Sequence, residues 1–278
     1  MHQISLLLWS WIETIRNFGR WRLWGPFLVF WAVQACSILL LTQFYQPILA
    51  TVLVPFLRLL GGDAILHYPV FYLALPSVFT VVALFLDLLI GSWTLAAAFL
   101  LFWQADRPAE PFQGAFGRAG RAYGRLVLAR LPLMLLLVLL LFGLPRMLLG
   151  GSTELPGSTL RTIRYGSVLI GSILEGLFLY APLAILVEGR RVSDALRRSF
   201  ALAARIPLAT LGAVLVPNLI QIPVSAVFRR SDVIVRNLTP EVIVWVLLGT
   251  AVLYAVSAFF AVGAGARLFR FHAEETRN

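Results

Sequence analysis

Two carboxylates stand inside long apolar runs, Asp87 in LFLDLLIG and Glu175 in SILEGLF. With Phe79 and Ser167 as the outer ends of their segments, each acid lies eight residues in, ~12 Å at helical rise, so the two share a depth. Asn218 and Gln221, beside Pro217 and Pro223, sit at a comparable mid-segment position, and Gln34, Thr250, Tyr254 and Ser257 extend the polar set. A charge at the centre of an apolar layer costs roughly 2.5–3.5 kcal/mol on insertion scales, so such groups face a bundle interior or a wet cavity. The chemistry open to Asp87, Glu175, Asn218 and Gln221 is a proton or substrate relay. The alternative is packing, with neutral or paired carboxyls hydrogen-bonded across helices. Gly91 and Ala98 near one acid, and Gly171 and Ser172 near the other, suit close helix approach.

Other chemistries lack their residues. There is no Gly-x-Ser-x-Gly with a histidine in reach, no His-Glu-x-x-His and no Gly-x-x-x-x-Gly-Lys, which disfavours a hydrolytic or ATP-driven enzyme. An intramembrane lipid-modifying enzyme built on the two acids is the remaining catalytic option. His2, His67 and His272 are scattered without ligand spacing, so neither a metal nor a cofactor is expected. The single cysteine, Cys36, precludes an intramolecular disulfide.

The second polar feature is cationic. Glu188 to Arg205, EGRRVSDALRRSFALAAR, holds five of the 23 basic residues, all of them arginine. Val192, Ala195, Leu196, Ser199, Phe200 and Ala203 follow helical spacing, while Arg190, Arg191, Arg197 and Arg198 mark a wetter side. Ser193-Asp194 reads as a helix start, a capping side chain with a carboxylate in the first turn. The expectation is a short amphipathic helix at a lipid surface between two spans. Arg118, Arg121 and Arg125 form another group in the polar stretch Gln104–Arg125, which reads as a loop. The net charge of +10 sits between apolar segments. It therefore points to anionic headgroups or an acidic membrane subunit as partner rather than to nucleic acid.

These residues are positioned by an unusually apolar chain. Hydrophobic residues make up 60% of it, against roughly 45–50% in soluble domains, and mean hydropathy is +0.87. The expected fold is an all-α polytopic membrane helix bundle forming a single integral membrane domain. Spans fall near 24–44, 79–103, 126–149, 166–187, 206–228 and 242–267. Residues 1–22 read as an uncleaved interfacial helix, with Ile4, Leu7, Leu8, Trp11, Ile15 and Phe18 on one face and Glu13, Arg16, Asn17 and Arg20 on the other. Residues 46–68 read as a broken, partly embedded segment, Pro76 as the divide between a surface helix and the second span, and Gly150–Tyr165 as a loop. Six spans put both termini on one side; sixteen arginines fall there and seven opposite. That places both ends in the cytoplasm of a bacterial inner-membrane protein. A weak internal repeat, Gly114–Leu128 over Asp194–Leu208, suggests three units of surface helix, span in and span out.

The run Pro182-Leu183-Ala184-Ile185-Leu186-Val187-Glu188-Gly189, followed by Ala195-Leu196-Arg197-Arg198-Ser199-Phe200, resembles a signature of a broad group of prokaryotic membrane proteins. That group includes the membrane domain of glycerophosphoryl diester phosphodiesterases. The resemblance covers residues 182–210 and implies about six spans with a small-Leu-Arg-Arg-Ser-aromatic cytoplasmic turn. It implies no activity. Eight residues follow Arg270, so no phosphodiesterase domain is expected. The leading functional expectation is a non-enzymatic scaffold or accessory subunit of a membrane or envelope assembly; the alternative is a transporter or channel-like carrier using Asp87 and Glu175.

Overall fold

A computed structural model describes residues 3–105, 114–143, 157–220, 222–223, 233 and 239–275, with only the backbone at 157–165 and 275. The described residues are helical, with no strand among them. The helices are α1 Gln3–Arg16, α2 Trp21–Thr42, α3 Pro47–Gly61, α4 Val70–Leu86, α5 Ser92–Ala105, α6 Ala115–Arg121 and α7 Tyr123–Val138. They continue as α8 Gly157–Phe178, α9 Ala181–Leu186, α10 Val192–Arg205, α11 Pro207–Leu219 and α12 Val242–Glu275. Two π turns, Asp87–Gly91 and Leu139–Gly143, follow α4 and α7. Five apolar helical runs are long enough to cross a membrane, and a sixth is counted if α10 and α11, bent by 98°, make one span. The chain is thus an integral, multi-pass membrane helix bundle.

The helices divide into two compact units, one of Met1–Phe27, Leu88–Leu219 and Ala258–Asn278, the other of Leu28–Asp87 and Ile220–Ser257. In the first, α5 is buried on every side from Leu95 to Gln104, the pattern of a helix at the centre of a bundle. In the second, Ile38 and Leu41 of α2, Leu57 of α3, Leu75, Val78 and Phe79 of α4, and Ile243 and Leu247 of α12 form the core. Large apolar side chains such as Ile48, Val52 and Leu59 point outward instead, as lipid permits.

Several expectations are corrected. Within Gln104–Arg125, α6 and the start of α7 replace a loop: Ala115, Ala119, Ala122 and Leu126 repeat every three to four residues and are buried, leaving the arginines outside. Residues 157–165 are helical rather than loop. The helix runs through Pro76, because breaking it in an apolar layer would unpair more backbone groups than proline removes; the Thr80 hydroxyl donates to the Pro76 carbonyl at 2.8 Å. Pro47–Gly61 is an ordered helix, entered at a proline and ended by Gly62 at φ 68°, a conformation suited to glycine. Arg191, not Ser193, is the N-cap of α10, and no side-chain cap bond forms, although Asp194 does sit in the first turn. The expected span 206–228 is represented by Pro207–Leu219; most of 220–238, including Gln221, lies outside the described residues.

α1 forms as the expected helix, and the residues that seat it belong to neither of the two expected faces. Leu6, Ser10 and Thr14 are buried, whereas Ile4, Leu8, Ile12 and Ile15 are exposed. Small and hydroxylated residues seat the helix on its neighbours while its large apolar side chains point outward, the membrane order of preference. A Cβ on Gly212 of α11 would run into the Leu7 side chain, and one on Gly263 of α12 would lie 2.6 Å from Thr14 Cγ2. These glycines are where the backbones come close.

Candidate functional site

Four polar nodes are built into the helices. In the first unit, Glu175 of α8 meets Asn218 of α11: the Asn218 amide donates to Glu175 Oε2 at 2.9 Å and to Ser172 Oγ at 3.2 Å. Ser172 precedes Glu175 by three residues, one helical face, and Pro217 is buried beside Asn218. This is an interhelical hydrogen-bond set of the kind sequence reasoning anticipated between Glu175 and Asn218. In the second unit, Tyr254 of α12 donates its phenol to Asp87 Oδ1 at 3.2 Å, where Asp87 opens a π turn. Asp87 therefore belongs with Tyr254, and Glu175 with Asn218. Each of these two bonds lies within one compact unit. Gln221, the fourth member of the expected cluster, lies outside the described residues.

The third node was not visible beforehand. The fourth apolar run breaks at Leu179-Tyr180, between α8 and α9. Pro182 in the first turn of α9 has no N–H, and its ring prevents α8 from continuing. The backbone groups freed there are taken up by Ser199 of α10, whose hydroxyl donates to the Leu177 carbonyl at 2.5 Å and accepts from the Tyr180 N–H at 3.1 Å. Tyr180 is fully buried, and its phenol bonds the Thr210 hydroxyl of α11 at 2.8 Å. Two side chains from a bent helix pair thus clamp the break. The signal was the serine within Leu196-Arg197-Arg198-Ser199-Phe200, whose helical position places it on the buried strip with Ala195, Leu202 and Ala203.

The fourth node centres on Arg267, only 1% exposed. Its Nη1 donates to Thr14 Oγ1 at 2.8 Å and to the Gly263 carbonyl at 3.1 Å, and the guanidinium lies 5.5 Å from the centre of the Phe102 ring. Counted by sequence as a surface charge at the end of the last span, it is instead an internal tie between α1, α5 and α12. Hydroxyl, carbonyl and aromatic face replace water around this cation. A turn further, His272 is buried and shares a 3.1 Å hydrogen bond with Arg205 at the end of α10.

On the surface, the arginines divide into two kinds. Glu188 pairs with Arg190 and, at 3.6 Å, with Arg198, so those two are partly neutralised. Arg191 and Arg197, together with Arg118, Arg121 and Arg125, are exposed and have no ion-pair partner among the described residues. Phe200, one turn from Arg197, is also exposed. Among the described residues no group of three or more histidine, cysteine, aspartate or glutamate side chains is placed to hold a metal. Comparison of the chain with protein-family models, with curated proteins and with solved structures finds no match to any of them.

Proposed function

We propose that this chain is a non-enzymatic membrane scaffold or accessory subunit that seats its arginine-bearing helices on anionic headgroups at the cytoplasmic face. The observation that carries this reading is α10. Its inner strip of Ala195, Ser199, Leu202 and Ala203 is buried, Arg191 and Arg197 stay exposed without ion-pair partners among the described residues, and Phe200, one turn from Arg197, is exposed while its ring packs edge-on against Phe178. Juxtamembrane arginines gain about 1 kcal/mol each from an anionic leaflet, and an exposed aromatic ring suits the same layer. The polar nodes at Tyr180 and Arg267 fit the same picture, since they spend hydrogen bonds on holding helices together. Native mass spectrometry of the protein from nanodiscs of mixed zwitterionic and anionic lipid tests it: anionic lipid should be retained preferentially, and Arg191→Gln with Arg197→Gln should remove the preference. Equal retention of both lipids by the unaltered chain would overturn it.

A second reading, a carrier, draws on one specific observation: both intramembrane acids sit at helix irregularities. Asp87 opens a π turn and Glu175 lies one turn before the α8–α9 break. π turns and broken helices recur at functional sites and in transporters. If the chain is a carrier, Asp87→Asn or Glu175→Gln abolishes transport without loss of folded protein.

A further inference from the structure

The second unit places an unpaired polar pair at the level of Asp87. Phe30 of α2 packs its ring 5.9 Å from Tyr254 of α12, and Tyr254 bonds Asp87; Phe44 of α2 packs 4.5 Å from Phe71 of α4. From Phe30 to Phe44 is fourteen residues and from Asp87 back to Phe71 is sixteen, ~21 and ~24 Å at helical rise. α2 and α4 therefore run antiparallel and in step, with Phe30 and Trp31 level with Asp87. Gln34 follows Phe30 by four residues, so it lies on the same face one turn further in. Gln34 is 6% exposed, and neither its Oε1 nor the buried Trp31 Nε1 has a hydrogen-bond partner.

A buried acceptor and a buried donor left unpaired on adjacent turns of α2, at the level of a carboxylate and a phenol, have one shared solution. Water accepts from an indole N–H and donates to an amide oxygen and a carboxylate, and it occupies buried sites offering two to four such partners. An alkali or divalent cation fits less well, because the Trp31 N–H presents a positive edge to it and the Tyr254 hydroxyl is already turned to donate. We propose that Asp87, Tyr254, Gln34 and Trp31 form a hydrated intramembrane site that takes up a proton at Asp87. In acid, hydronium gives up one O–H bond as a carboxylate oxygen of Asp87 forms one, leaving water behind, and the new carboxyl O–H donates a hydrogen bond to the bound water. The spans that meet here carry little else that titrates. Within residues 28–42, 70–87 and 242–257 the remaining groups are Cys36, which is exposed, and Tyr72. Tyr72 lies fifteen residues from Asp87, ~22 Å along α4. The inference does not depend on the headgroup-docking function proposed above.

Infrared difference spectroscopy of the full chain in nanodiscs, between acidic and alkaline buffer, tests it. Subtracting the Asp87→Asn spectra cancels the other twelve aspartate and glutamate side chains and should leave a protonated-carboxyl band in acid that vanishes reversibly in alkali and shifts in heavy water. In Trp31→Phe, which leaves the acid in place, the band should remain but move in frequency, because the water it bonds has lost an anchor. A purely packing role for Trp31 would not move it. Spectra of the unaltered protein and Asp87→Asn that superimpose, or a band unmoved by Trp31→Phe, would overturn the site.

Discussion

Replacing Ser199 by alanine should be among the costliest single-atom changes in the chain. The hydroxyl serves two backbone groups at once, the Leu177 carbonyl and the Tyr180 N–H, in a position with no solvent exposure. A buried polar group left unpaired costs about 1–3 kcal/mol. The N–H bears most of this, because carbonyls tolerate a missing partner better. The two together come to roughly 2–3 kcal/mol. Tyr180→Phe at the same break removes only the side-chain bond to Thr210. Interhelical side-chain bonds in lipid average ~0.6 kcal/mol, and the Thr210 hydroxyl can turn back to a carbonyl of its own helix. Reversible unfolding in mixed micelles, followed by tryptophan fluorescence, measures both variants. Ser199→Ala should lose several times more stability than Tyr180→Phe. A Ser199→Ala protein within ~0.5 kcal/mol of the parent, below the range for one unpaired group, or a Tyr180→Phe protein that loses more, would refute the assignment of the break to Ser199.

Three further outcomes follow from the packing. Glu175→Gln keeps a partner for Asn218 and should be nearly neutral in the same unfolding assay, whereas Glu175→Leu should cost about 0.6–1.7 kcal/mol. Gly263→Ala drives a methyl to 2.6 Å from Thr14 Cγ2 and 3.1 Å from Phe102 Cε1; overpacking of this kind costs about 1–3 kcal/mol. It should also loosen α1, seen as faster labelling of a cysteine placed at Ser10. Reporter fusions after Asn278 and within Gly151–Ser158 should show opposite sidedness if α10 and α11 together complete a sixth crossing, and the same sidedness if they do not.

The helical membrane architecture was legible because apolar run length answers directly to bilayer thickness. The pairing of Glu175 with Asn218 was legible too, since buried polar groups in lipid seek one another. The residues that seat α1 were not: Ser10 and Thr14 carry no apolar signal yet are buried, while Ile4, Leu8 and Ile15 point outward as on an interfacial helix. α6, read as a loop along the chain, was legible only through the repeat of Gly114–Leu128 over Asp194–Leu208, because alanine and glycine give little hydropathy signal even where Ala115 and Ala119 are buried. Arg267 was read as a surface charge because sequence alone cannot place a threonine from residue 14 beside it. Ser199 serves a break whose position is set by Pro182, seventeen residues earlier; only the fold brings them together. Asp87 and Glu175 shared a sequence depth, but depth along two helices says nothing about which neighbours each one meets.

The central claim, an accessory membrane protein seated on anionic headgroups through the arginines of α6 and α10, is tested most directly by extracting the full chain from its native membranes with its lipid annulus intact and measuring the mass of the particle and the lipids it holds. The expected result is a particle of fixed composition, the chain with a stoichiometric membrane partner and enriched anionic lipid, and loss of that enrichment in the Arg191→Gln, Arg197→Gln variant. A lone chain in lipid of bulk composition, unchanged by those substitutions, would contradict it.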